Sequence, residues 1–119
     1  MKVERIRNAT VVSPDATAAK KTFEDLFGLA AAGPNALAIG ESRIEFVTPT
    51  PGSRLGEALA ASGAGMAEIC LRVTDLAVAA NTLTTAGIAF TDETTDGQRA
   101  LHVDPGAAHG VRLTLRDVD

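Results

Sequence analysis

Tryptophan and tyrosine are absent from this chain, and its only aromatic residues are Phe23, Phe27, Phe46 and Phe90. A flat ligand held by ring stacking therefore has little to rest on. The single cysteine, Cys70, excludes an internal disulfide and reads as a small buried hydrophobe. No apolar run approaches the roughly 20 residues that cross a bilayer. The start, MKVERIRNATVV, has no apolar stretch between a basic beginning and a small-residue cleavage site, so no signal peptide is visible. Basic charge is also in short supply: 11 Lys and Arg against 15 Asp and Glu give a formal net charge of −4. No basic stripe is available to displace counterions from phosphate. These shortages predict a cytoplasmic protein with neither nucleic-acid nor membrane partners.

What remains is ordinary for a soluble globular chain, with 45% hydrophobic and 22% charged residues. A length of 119 residues predicts a single domain able to build a core without staples. VERIRNATVV (3–12) reads as a strand. SPDATAAKKTFEDLFG follows as a helix, with Ser13 or Asp15 to cap it, Gly28 to stop it, and Ala19, Phe23, Leu26 and Phe27 as its apolar face. Strands ALAIG and RIEFVTP come next, then a short helix, SRLGEALAASG. The order then recurs: strand MAEICLRV, helix TDLAVAANTLTTAG with Thr74 as cap and Gly87 as stop, and strands IAFTD, RALHVD and VRLTLRD. TTDG and PGAAHG separate the last three.

Laying the halves over each other at an offset of 60 (68 − 8) matches Asp15 to Asp75 and Ala19 to Ala79, and puts Asn8 on Glu68. An offset of 69 (112 − 43) puts Arg43 on Arg112 and Glu45 on Thr114. The chain thus reads as an α+β fold of two tandem βαβββ modules, one at about 1–50 and one at about 65–119, joined by a linker helix at about 53–62.

Alternation sorts each strand onto two faces. Ala9 and Val11, Ile44 and Phe46, Ile69, Leu71 and Val73, Leu101 and Val103, and Val111, Leu113 and Leu115 form one face, apolar throughout, that must pack on helices. Asn8 and Thr10, Arg43 and Glu45, Met66, Glu68 and Cys70, His102, and Arg112, Thr114 and Arg116 form the other. A face so polar either meets water or lines a cup made by a curled mixed sheet.

PDATAAKKTFEDLFGL, IGESRIEFVTPTPGSRLGEAL, GAGMAEICLRVTDL and DPGAAHGVRLTL, in this order, resemble the vicinal oxygen chelate (glyoxalase/bleomycin resistance/dioxygenase) superfamily. The pattern is most similar to the methylmalonyl-CoA epimerase and glyoxalase branches. The resemblance implies a cup whose floor holds a divalent metal between two His, a Gln or Glu, and a Glu. In this chain those positions carry Asn8, Glu68, Glu45 and Thr114, so only Glu45 keeps the ligand type. Against that set no cofactor is expected. If a metal binds at all, it is a weakly held Mg²⁺ or Mn²⁺ on the oxygens of Glu45, Glu68 and Asn8.

The cup would give Glu68 and Glu45 acid/base work, because two carboxylates in a poorly solvated site cannot both ionise freely. His102, where the family commonly has Phe, adds an imidazole. Arg43 and Arg112 would hold an anionic or carbonyl-bearing substrate, with Asn8, Thr114 and Met66 lining the site. On a wet sheet face the same groups would instead form cross-strand pairs, Glu45–Arg112 or Glu68–Arg43, contributing about 1 kcal/mol or less each. His109 reads as a solvated turn residue, Asp15 and Asp75 as helix caps, and Lys20 and Lys21 as a solvated face.

The reading that follows is an isomerase, epimerase or lyase acting on a small carbonyl or acyl substrate through carboxylate acid/base chemistry, without a tightly held metal. A small-molecule sequestering protein of the bleomycin-resistance kind is the alternative. Sheets of this family often meet edge to edge, so a homodimer is expected.

Overall fold

In the computed structural model, which describes residues 1–119, each long helix begins at an aspartate. The Asp15 carboxylate accepts from the Ala18 N–H at 3.0 Å and opens α1 (Ala16–Phe27). Asp75 accepts from Ala77 and Val78 at 2.8 and 3.2 Å and opens α3 (Leu76–Thr85). The cap expected at Thr74 therefore falls one residue later. A carboxylate satisfies two N–H groups at once, whereas the Thr74 hydroxyl is occupied by Glu4 at 3.1 Å. Gly28 closes α1 with φ +62, a conformation only glycine adopts without strain. Between them, α2 (Arg54–Ser62) is capped by Ser53.

Seven strands accompany the helices: β1 (Val3–Val12), β2 (Ala36–Ile39), β3 (Ser42–Val47), β4 (Gly65–Val73), β5 (Phe90–Thr95), β6 (Gln98–Val103) and β7 (Leu113–Arg116). The fold is α+β, and the chain forms two compact units. Unit one comprises Met1–Arg7 and Glu68–Asp119; unit two comprises Asn8–Ala67. Its first seven residues thus join the second repeat, where the Thr74 N–H reaches the Lys2 carbonyl at 3.0 Å.

Each unit contains a mixed sheet. In unit two β1 pairs in parallel with β3, and β3 is antiparallel to β2. In unit one β4 pairs in parallel with β7, followed by antiparallel β6 and β5. The registers reproduce the internal repeat. Ala9 faces Ile44 in unit two, and the residues 60 and 69 further on, Ile69 and Leu113, face each other in unit one. The first repeat's outermost strand has shrunk to a single bridge, Ala31 to Leu37, because Gly33 and Pro34 break the segment that would form it.

The expected apolar face supplies both cores. In unit two, Ala16, Leu37 and Phe46 are buried with Val11, Ala19, Phe23 and Ile44 around them. Phe23 meets Phe46 edge-on, their ring centroids 5.2 Å apart. Leu26 and Phe27 depart from expectation at 69% and 63% exposed: they sit in the last turn of α1, past the part of the helix that β2 and β3 cover. In unit one, Val73, Leu76, Ala79, Leu83, Leu101, Val103 and Leu115 form the core. Val111 lies before β7 begins and is exposed.

The β5–β6 hairpin runs longer than expected. Asp96 and Gly97 both have positive φ (+52 and +76), as a two-residue turn matching strand twist requires, so pairing reaches Thr95 and Gln98. Arg99 grips Asp92 with two nitrogens and holds its carboxyl below the ordinary carboxylate range, chiefly by hydrogen bonding. That contribution is present above the usual carboxylate pKa and is lost as pH falls through the lowered one.

Two substitutions test these local arguments. Asp75→Ala should cost about 1 kcal/mol and Asp75→Asn much less, read by urea unfolding. Gly56→Ala would gain about 1 kcal/mol on helix propensity alone. Here, however, the new methyl runs into the Thr50 carbonyl oxygen at the Ser53 cap, so a net loss of about 1–3 kcal/mol is expected.

Candidate active site

The hydrophilic face of each sheet is under cover. Asn8, Thr10, Glu68, His102 and Thr114 are each less than 9% exposed, and Thr114 is fully buried. A face that merely met water would leave such side chains solvated, so the wet-face reading is set aside at these positions.

In unit one the register builds the row residue by residue. Cys70 on β4 lies opposite Thr114 on β7, Thr114 opposite His102 on β6, and His102 opposite Thr91 on β5. Alternation puts these side chains on one face. His102 Nδ1 and Thr114 Oγ1 are 2.8 Å apart, and His102 Nε2 stands 3.7 Å from Glu93 Oε1. One step back along the parallel pair come Glu68 and half-buried Arg112, whose carbonyl accepts from the Ile69 N–H at 3.1 Å. Glu68 is thus a carboxylate held at 7% exposure in the middle of a strand.

In unit two the row corresponding to Cys70, Thr114 and His102 is Thr10, Glu45 and Ala36, with Asn8, Arg43 and Ala38 one step back. The Asn8 amide donates to Thr10 Oγ1 at 2.9 Å. Arg43 pairs along its own strand with Glu45 at 3.4 Å, both half-buried. Met66 is exposed and lines an apolar groove of about 500 Å³ with Ala9, Val11, Phe23 and Ile44. A second cavity, of about 520 Å³, has Glu45 in its wall with Thr17, Asn35 and Thr48.

The donor set does not fit a tightly held metal. No three His, Cys, Asp or Glu side chains converge to hold an ion. Of the four positions the family resemblance implies, Asn8 is engaged by Thr10, Thr114 by His102, and Glu45 by a guanidinium.

Glu93 is the residue that sequence reasoning missed. Ending the strand at Asp92 left Glu93 in the turn. Counting back from the Asp96–Gly97 turn would have placed Thr91, and by alternation Glu93, on the face of His102. His109 takes φ +55 at the end of a 3₁₀ turn, Pro105–Ala108, and is exposed.

These features define a mixed-sheet α+β repeat protein with a desolvated polar row. Comparisons with known proteins give the family. A profile of the Glyoxalase/Bleomycin resistance protein/Dioxygenase superfamily matches residues 9–103, and the chain belongs to that superfamily. A search of curated proteins returns no match. Among solved structures, a variant of Streptomyces coelicolor methylmalonyl-CoA epimerase in complex with 2-nitronate-propionyl-CoA is similar at 21% identity and a TM-score of 0.82, covering 96% of this chain and 94% of that one. Methylmalonyl-CoA epimerase from Mycobacterium tuberculosis is similar at 22% identity and a TM-score of 0.81, covering 96% and 87%. A hypothetical protein from Bacillus halodurans C-125 has 16% identity and a TM-score of 0.86, covering 100% and 96%. The fold is shared with all three.

Burial of this row has a chemical consequence at Cys70, which is 1% exposed. Its thiol should react with a disulfide reagent at least about 100-fold more slowly in the native protein than in denaturant. Rapid native labelling would show that the row opens to solvent.

Proposed function

We propose that this protein is an enzyme of proton-transfer type, an epimerase, isomerase or lyase acting on a small carbonyl or acyl substrate. The observation that carries the reading is the buried Glu68 carboxylate on β4. Burying a carboxylate is costly, and mid-strand it serves no capping role, which makes Glu68 a functional candidate. Within unit one, Glu68 is the principal acid/base, His102 assists, Arg112 holds the substrate's negative charge and Thr114 lines the site. In unit two, Glu45, Arg43 and Asn8 are the corresponding polar candidates, whereas Met66 belongs to the apolar groove. The 2-nitronate-propionyl-CoA bound in the similar epimerase structure makes an acyl-CoA the first substrate class to try.

The chemistry runs without a tightly held metal in this reading, because the family's imidazole ligands are replaced by an amide and a carboxylate and its last carboxylate by a hydroxyl, an all-oxygen set that holds a divalent ion weakly. Sequestration of a flat ligand is the weaker alternative. Phe46 is buried and Phe23 is packed against it, so those rings are committed to the core. We further place the protein in the cytoplasm as a homodimer, on its single free thiol and the β2 edge.

The test is wash-in of solvent deuterium at the α-carbon of a panel of short acyl-CoA thioesters, followed by NMR. Wild-type protein should catalyse exchange on at least one member. Glu68→Gln should lower that rate by about 100-fold or more, with the melting temperature nearly unchanged. Exchange that survives the substitution, or none across the panel, counts against the proposal.

A further inference from the structure

His102 is held at both edges of its ring, and the two neighbours differ in what they can do. Thr114 Oγ1, 2.8 Å from Nδ1, can donate or accept. Glu93 Oε1, 3.7 Å from Nε2, belongs to a carboxylate and can only accept. The carboxylate is itself steadied, because the Thr95 hydroxyl donates to Glu93 Oε1 at 3.1 Å. Arg99, the nearby cation on β6, does not compete for it, being engaged two-fold by Asp92.

A neutral imidazole has one N–H and one bare nitrogen. Beside a carboxylate the bare nitrogen is repelled and the N–H attracted, so the proton belongs on Nε2. Nδ1 is then an acceptor, and the Thr114 hydroxyl must be its donor. Thr114 is fully buried and its hydroxyl has the ring nitrogen within reach, so this bond is not exchanged for one to water.

We propose that Thr114 and Glu93 are positioning residues that clamp His102 between them, so that the neutral ring carries its proton on Nε2 and presents that N–H as a hydrogen-bond donor. The inference rests on the assisting role given to His102 above and supplies what that role needs: a fixed ring orientation and a defined tautomer. Glu4 on β1, Glu68, Cys70 and Arg72 on β4, and Arg112 and Arg116 at β7 are the other titratable groups of this unit on the same sheet face.

The experiment reads the ring directly in resting protein, so it does not depend on finding a substrate. In a His109→Asn background the only imidazole is His102, and Asn tolerates the left-handed backbone at position 109. Nitrogen-15 shifts of the neutral ring should show the Nε2–H form exceeding the Nδ1–H form by about tenfold. Thr114→Val should reduce that ratio by about fivefold, and Thr114→Ser should restore it. Glu93→Ala, at an exposed position that leaves folding intact, should reduce it by about threefold, as befits a screened charge. A wild-type ring protonated on Nδ1, or a ratio unmoved by both Thr114→Val and Glu93→Ala, would overturn the proposal. If the tautomer behaves as stated and no acyl thioester exchanges its proton, the clamp stands and the proposed reaction is what fails.

Discussion

Polar groups withdrawn from water must find partners, and this one requirement organises the hydrophilic side of both sheets. Leaving a buried donor or acceptor unpaired costs about 1–3 kcal/mol, more than a typical hydrogen bond contributes when made. Asn8 is answered by Thr10, His102 by Thr114, and Arg43 by Glu45. An apolar row would be simpler to stabilise than one that keeps carboxylate, imidazole and amide out of water.

The two repeats keep their backbone and change their chemistry. Parallel pairing of β1 with β3 and of β4 with β7 is in corresponding register, and both following helices start at an aspartate in the equivalent place. Yet the side chains diverge: Asn8 corresponds to Glu68, Glu45 to Thr114, and Ala36, across from Glu45, to His102, across from Thr114. Ladder geometry tolerates such exchange because backbone groups, not side chains, hold the strands together. The imidazole therefore stands in unit one alone, where Thr114 supplies a short polar neighbour that a carboxylate at the same place would not replicate in size or charge.

Much of the fold was legible because periodicity is a strong signal. Alternation in VERIRNATVV, GMAEICLRV and RALHV separated core from polar face except at Met66, which lies in an apolar groove with Ala9 and Ile44, and the Asp15–Asp75 match exposed the repeat. Capping chemistry was harder: Thr74 and Asp75 are both good caps by type, and only the competing bond to Glu4 decides between them. Leu26 and Phe27 have helical spacing with Phe23, but spacing says nothing about where the covering strands end. At the site, residue types identified Glu68 and His102. Burial and the Glu93 contact required knowing how far β5 extends, which two positive-φ residues determine.

Strand β1 begins in one compact unit and ends in the other, since Met1–Arg7 is grouped with Glu68–Asp119 and the rest of the strand with Asn8–Ala67. Cutting the chain at the joint between its repeats would not release two self-sufficient halves. The later fragment would lack a strip of its own sheet, and the earlier one would carry that strip away with it. The repeat is therefore visible in the order of elements but not in a division of the chain into two contiguous halves.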